Sequence, residues 1–217
     1  MFAGSEPRFR DRRDAGRTLA ENLESLRGSE PLVLAMVRGG VPVAAEIAES
    51  LAAPLFAWPV TKIGAPQQPE YALGAVGPGG VTVWNEPAVE RLEVSAEGLN
   101  LMREKALHEV ERRAAEYGQP ARGDLEDRIV VLVDDGLATG LTMRAALAAL
   151  RSCAPSRIVV AVPLCAPRAG DRLGLLENES LVCACEAELH SVGAGYRDFE
   201  QVADAEVLST LEQLGPH

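Results

Sequence analysis

The sequence predicts an α/β protein built on a mostly parallel central sheet flanked by helices. Three observations carry that expectation. Short apolar runs rich in β-branched residues recur, among them IVVLV at 129–133 and IVVAV at 158–162. Such unbroken runs mark strands buried on both faces, as parallel sheets require. Between them lie segments with apolar residues at steps of three and four, the period of an amphipathic helix. Turns bearing glycine and proline punctuate the alternation.

The elements follow in order. Ala15, Leu19, Leu23 and Leu26 predict a first helix. PLVLAMV (31–37) predicts a strand that runs into the tight loop Arg38-Gly39-Gly40. Val43, Ile47 and Leu51 mark the next helix, and LFAWPV (55–60) the next strand. Residues 64–69 are expected to lie outside regular structure, because two prolines and a glycine fall within GAPQQP. Residues 71–76 and 81–84 suit a hairpin around Gly77-Pro78-Gly79-Gly80. Leu99, Met102, Ala106, Val110 and Ala114 give a longer covering helix with a charged outer face. Residues 118–124 read as a loop. A helix is expected from about Leu141, carrying Met143, Ala146, Leu147 and Leu150. LVCAC (181–185) is a further strand. Val207, Leu208, Leu211 and Leu214 close the chain as a helix with Asp204 as its N-cap. Trp58 and Trp84 read as packing residues.

Composition narrows the function. The chain has 217 residues, with 21 Lys+Arg against 32 Asp+Glu and a net charge of −11. That balance argues against nucleic-acid and anionic-membrane binding, which need a basic face. No apolar run approaches the ~18 residues of a membrane span. The N-terminal MFAGSEPRFRDRRDAGR lacks the apolar core of a signal peptide. Its arginines alternate with Asp11 and Asp14 and read as a solvated, ion-paired helix start. Cys153, Cys165, Cys183 and Cys185 form no CxxC pair. They read as reduced, mostly buried thiols of a cytoplasmic protein.

The chemistry concentrates in IVVLVDDGLATGLT, residues 129–142. A buried strand ends in adjacent carboxylates, Asp134 and Asp135. A loop with Gly136 and Gly140 follows, then a helix, with Thr139 and Thr142 supplying hydroxyls. Free N–H groups and the dipole at a helix N-terminus make a phosphate site, and glycine admits close approach. The carboxylates would repel a phosphate unless they face sugar hydroxyls or magnesium. A sugar phosphate satisfies both ends. No Lys stands here for a Walker A loop, and the GxGxxG spacing is absent. A DxD phosphatase would need a carboxylate where Gly136 stands.

DDGLATGLT after an apolar strand resembles the phosphoribosyl-diphosphate (PRPP) motif of type I phosphoribosyltransferases. Gly136 departs from it, since the family more often has an aliphatic residue there, and this is expected to loosen the loop. Arg38-Gly39-Gly40 resembles the family's pyrophosphate loop. VTKIGAPQQPEYALGAV (60–76) and GAGYRDFEQVADAEV (193–207) resemble the flexible loop and C-terminal end of an uncharacterised bacterial branch. The resemblance covers most of residues 8–214.

It implies one domain over 1–217, with a core at about 14–185 and small hood or flexible elements at about 60–84 and 186–214. It implies transfer of phosphoribose from Mg-PRPP to a nitrogenous base in nucleotide metabolism, with release of pyrophosphate, by a dimer. Ala138, Thr139, Gly140, Leu141 and Thr142 would cradle the 5′-phosphate. Asp134 and Asp135 would face the ribose hydroxyls and the cationic ring that develops at the reacting carbon. Arg38, Gly39 and Gly40 would hold the pyrophosphate, with Lys62 a further phosphate contact and Glu70 and Tyr71 weaker ones. Tyr196 and Phe199 either stack on the base or pin the C-terminal segment to the core. His190 is a candidate for the base pocket. Magnesium would be held mainly by substrate and water, with Asp134 and Asp135 as the protein groups within its reach. A second reading is a non-catalytic module that senses PRPP or a nucleotide.

Overall fold

Apolar period and burial agree along most of the chain, and a computed structural model describes residues 7–188 and 191–216. α1 (Arg12–Glu21), β1 (Leu32–Met36), α2 (Val41–Leu51) and β2 (Leu55–Trp58) open it. β3 (Thr61–Ala65), β4 (Gln68–Val76), β5 (Thr82–Trp84), α3 (Glu86–Arg91) and α4 (Ala96–Tyr117) follow. After the short α5 (Arg122–Leu125) come β6 (Ile129–Val133), α6 (Leu141–Arg151), β7 (Arg157–Cys165), α7 (Ala169–Leu173), β8 (Glu179–Glu186) and α8 (Asp204–Leu214).

Five strands form a parallel sheet in the order β2-β1-β6-β7-β8. Their unbroken apolar runs split by alternation onto two faces. Val33, Ala35, Val131, Val133 and Val159 pack with Leu19 of α1, Ile47 of α2 and Val207 of α8. Leu32, Leu34, Val130, Leu132 and Val160 pack with Leu147 and Leu150 of α6. Each of these Val, Leu and Ile side chains, taken from water to full burial, contributes roughly 1.5–3 kcal/mol.

The strand order fixes where a ligand can sit. From β1 the chain goes to one side, to β2, whereas β6 lies on the other side and leads to β7. The order reverses between β1 and β6, and ligands of open α/β sheets bind beyond the carboxyl ends of strands at such a point. The loops after β1 and β6 are the two that carry the motifs.

A second sheet, β3-β4-β5, is antiparallel. Ile63, Leu73 and Val76 pack on Ala106 and Val110 of α4, so the long helix covers this sheet. The expectation that 64–69 lie outside regular structure is wrong for all but the turn at 66–67. The ladder jumps from Gly64↔Ala72 to Ala65↔Gln68, so Pro69 falls in a bulge where its missing N–H costs no ladder bond. A Cβ at Gly64 would collide with the Pro69 carbonyl. The loop expected at 118–124 holds the start of α5, where Asp124 accepts the Ala121 N–H at 2.8 Å. Asp204 is the first residue of α8 rather than its cap; Ala203 stands at the cap without a side-chain bond. Among the described residues no helix is long and apolar enough to cross a membrane.

Candidate functional site

β6 runs straight into Asp134 and Asp135, and hydrogen bonds to β7 hold the loop beyond them. The Leu137 N–H donates to the Leu164 carbonyl at 2.8 Å, and the Ala166 N–H to the Leu137 carbonyl at 2.9 Å. Arg172 of α7 donates to the Ala138 carbonyl at 3.2 Å. Gly140 caps α6 at φ +80°, a left-handed conformation that favours glycine. α6 then starts at Leu141, so the N–H groups of its first turn have no intrahelical acceptor. Thr139 is exposed and Thr142 half-buried beside them. Ala138 through Thr142 thus form a loop that enters a helix with the N–H groups of its first turn unbonded, a geometry that suits an anion.

The loop after β1 closes the other side. Gly40 donates to the Met36 carbonyl at 2.9 Å. A Cβ at Gly40 would stand 2.7 Å from the carbonyls of Met36 and Val133, and one at Gly39 would collide with the Asp135 carboxylate. Both glycines are therefore required by close approach of the two loops. The Val37–Arg38 peptide bond is cis. Arg38 itself reaches away to Asp204 at 3.1 Å, where the Tyr117 hydroxyl also donates.

The two carboxylates have different surroundings. Asp134 accepts the Asp135 N–H at 2.9 Å. Burial and then the negative charge of Asp135 push its carboxyl well above the usual range. Burial pushes Asp135 up too, while Arg12 pulls it back. Arg12 Nε lies 2.9 Å from Asp135 Oδ2, with the side chains only 11% and 15% exposed. Arg12 also donates to the Glu200 carbonyl at 2.7 Å and stacks 3.7 Å over the Phe199 ring. Tyr196 donates its hydroxyl to the Asp135 carbonyl at 2.6 Å and stacks on Phe199 with centroids 5.0 Å apart.

These contacts correct one expectation and add a packing role to a second residue. The arginine cluster is not wholly a solvated helix start: Asp11 caps α1 by accepting the Asp14 N–H at 2.8 Å, but Arg12 turns inward. Gly136 lies under the 192–196 segment. A Cβ there would stand 2.5 Å from Val192, so glycine lets the 192–196 segment lie against the acidic pair. Arg12 and Arg172 were missed because their partners lie far off in sequence. The one available signal was the density of arginines ahead of α1.

The structure thus brings together Asp134, Asp135, Gly39, Gly40 and the 138–142 loop. Tyr196 is buried, and Arg12 covers a face of Phe199. Lys62 lies elsewhere, on β3, lining a groove of about 800 Å³ with Lys105, His108 and Arg112 of α4. Tyr71 lies under Arg91 at 4.8 Å. His190 and the side chain of Glu70 lie outside the described residues. Among the described residues no cluster of three or more His, Cys, Asp or Glu could hold a metal. The donors that remain, Asp134 and Asp135, suit an ion that arrives with a phosphorylated ligand rather than one held in a protein cage.

Comparison with known proteins agrees with this geometry. A "Putative phosphoribosyl transferase" of Mycobacterium tuberculosis is 42% identical over 206 residues, covering 94% of this chain and 46% of that protein. The chain therefore spans about half the length of the curated relatives it matches. The crystal structure of TT1426 from Thermus thermophilus is 39% identical with a TM-score of 0.74, covering 96% of this chain and all of that one. A hypothetical protein from Neisseria gonorrhoeae with bound ppGpp shares the fold at 14% identity and a TM-score of 0.56, covering 98% of this chain and 99% of that one. The model of the phosphoribosyl transferase domain matches residues 10–174, which include both loops of the switch point, and the chain belongs to that family.

Proposed function

We propose that this chain transfers the phosphoribosyl group of Mg-PRPP to a nitrogenous base and releases diphosphate. One observation carries the reading: the acidic pair, the 38–40 loop and the N-terminus of α6 meet at the switch point between β1 and β6. The N–H groups at the start of α6, with Thr139 and Thr142, would bind the 5′-phosphate. The backbone at Gly39 and Gly40 would lie along the diphosphate. Asp134 would face the ribose. As the bond from the anomeric carbon to diphosphate breaks, positive charge develops on the ring and favours the ionised form of Asp134. The base nitrogen then bonds to that carbon through its lone pair, diphosphate carries the departing electron pair, and the proton on that nitrogen passes to water. Stabilising charge at that moment accelerates the reaction without a strong nucleophile. Asp134 is the residue that would meet magnesium, since Arg12 takes the charge of Asp135; magnesium, when bound, would neutralise the diphosphate.

The same reading puts the protein in the cytoplasm as a homodimer of nucleotide metabolism, where its four free cysteines stay reduced. A screen of nucleobases with Mg-PRPP tests it, with diphosphate release as the readout. Release with at least one base is expected; PRPP that neither binds nor turns over with any of them sinks the reading. A second reading, a module that senses PRPP or a nucleotide without turnover, is favoured by the commitment of Asp135 to Arg12. Saturable PRPP binding with no diphosphate release would select it.

A further inference from the structure

Asp135 poses a problem for the proposed ligand. Its carboxylate lies against Gly39, close enough that no Cβ would fit between them. The 38–40 loop is where the diphosphate would lie. An uncompensated carboxylate there would repel it, strongly so in a site shielded from water. The compensating cation is not Arg38, which is held by Asp204 at 3.1 Å. It is Arg12, brought across from the start of α1.

The placement of Arg12 is over-determined. Nε bonds Asp135 at 2.9 Å, Nη1 bonds the Glu200 carbonyl at 2.7 Å, and the guanidinium plane rests on Phe199 at 3.7 Å. Phe199 is in turn stacked on Tyr196, whose hydroxyl holds the Asp135 carbonyl. Phe9, three residues ahead of Arg12, packs 5.9 Å from Tyr196. Paired strand-like contacts bind the two segments further, with the Arg197 N–H donating to the Phe9 carbonyl at 2.9 Å and the Asp198 N–H to the Arg10 carbonyl at 2.8 Å. Both ends of the chain are thus used to hold one cation on one carboxylate. A salt bridge at this burial is not needed for stability, because an apolar pair of similar volume commonly serves as well. Its position, with the paired carboxylate against Gly39, points to a role at the site.

We propose that Arg12 is a positioning residue that neutralises Asp135 and so makes the 38–40 loop able to accept a diphosphate. The proposal rests on the PRPP reading and deepens it. Arg12 acts through Asp135, so its effect should fall on ligands that carry diphosphate and should vanish when Asp135 carries no charge.

The test is calorimetric titration of the full chain with PRPP, inorganic diphosphate and ribose 5-phosphate, each in magnesium. Arg12→Met is expected to weaken PRPP and diphosphate by tenfold or more, about 1.4 kcal/mol, and to leave ribose 5-phosphate within about twofold. Arg12→Lys, which keeps the charge, should hold diphosphate within a few-fold of wild type. The decisive pair is Asp135→Asn against Asp135→Asn/Arg12→Met, which removes both buried charges and folds even where Arg12→Met alone does not. Equal diphosphate affinity in that pair is the expected result. A further loss in the double variant would mean that Arg12 touches the ligand directly, and would overturn the proposal. Equal weakening of all three ligands by Arg12→Met would overturn it as well, showing a purely structural role. Wild type that binds PRPP while Arg12→Met is unchanged overturns the Arg12 assignment alone. Wild type that binds none of the three overturns it together with the PRPP reading.

Discussion

The acidic pair and the 138–142 loop are neighbours in sequence, yet they are held in opposite ways. The loop is made by its own backbone: Gly140 sets the turn, α6 begins at once, and β7 supplies two main-chain hydrogen bonds. The acidic pair is held by side chains from distant segments: Arg12 bonds the Asp135 carboxylate and Tyr196 the Asp135 carbonyl. A phosphate cradle of N–H groups needs no counter-charge when empty. Two adjacent buried carboxylates do, and that need recruits distant residues.

Four substitutions sharpen that contrast, from the largest effect to the smallest. Arg12→Met leaves Asp135 buried and unpaired, and should cost about 3–5 kcal/mol of stability, read by urea unfolding. A loss under 1 kcal/mol would mean that the pair is relaxed by solvent. Thr139→Arg fills the cradle with a long side chain from an exposed position. It should lower PRPP affinity by about a hundredfold, or 2.7 kcal/mol, while Tm moves by no more than about 2 °C. A large fall in Tm would show that the loop is less self-sufficient than its backbone bonds suggest.

Asp134→Asn should do the reverse, gaining stability while losing activity. Folding raises the pKa of Asp134, so its protonated form is favoured in the folded state. Wild-type stability from this group is fully present below the ordinary carboxylate value of about 3.9 and is lost as pH rises through the raised value. The neutral amide has no such loss. Its Tm advantage should be absent near pH 4 and open as pH rises toward 8, by about 2–4 °C for each kcal/mol. A constant difference across that range would contradict the assignment. Arg112 is the control. It bonds Glu109 at 2.9 Å and Glu116 at 2.6 Å along α4, more ion pairs than Arg12 makes, but exposed to solvent. Arg112→Ala should leave Tm unchanged within error, since solvent and salt screen such pairs.

The same contrast explains what could be read in the sequence. β6 and the 138–142 loop were legible because every cue is local: a β-branched run, two carboxylates, Gly140 and a helix period within fourteen residues. The parallel sheet was legible for the same reason, since IVVLV and IVVAV need only their neighbours to declare burial on both faces. The β3–β4 hairpin was not, because a bulge at Gly64 that tolerates Pro69 depends on the facing strand. Arg12 was not, because its partner stands 123 residues away. The packing role of Gly136 was not legible because Val192, which packs on it, lies on the returning C-terminal segment. Local chemistry marks the cradle; long-range compensation builds the acidic half of the site.

The central claim is that the switch point binds PRPP through the 138–142 cradle. Calorimetric titration of the full chain with PRPP in magnesium measures it directly, with Thr139→Arg beside wild type. One saturable site per chain in wild type is predicted, weakened about a hundredfold in the variant and severely weakened by a chelator. Ligand at a hundred times its Kd should then stabilise the fold by about 2.7 kcal/mol. No heat in wild type, or an affinity unchanged by Thr139→Arg, would contradict the account.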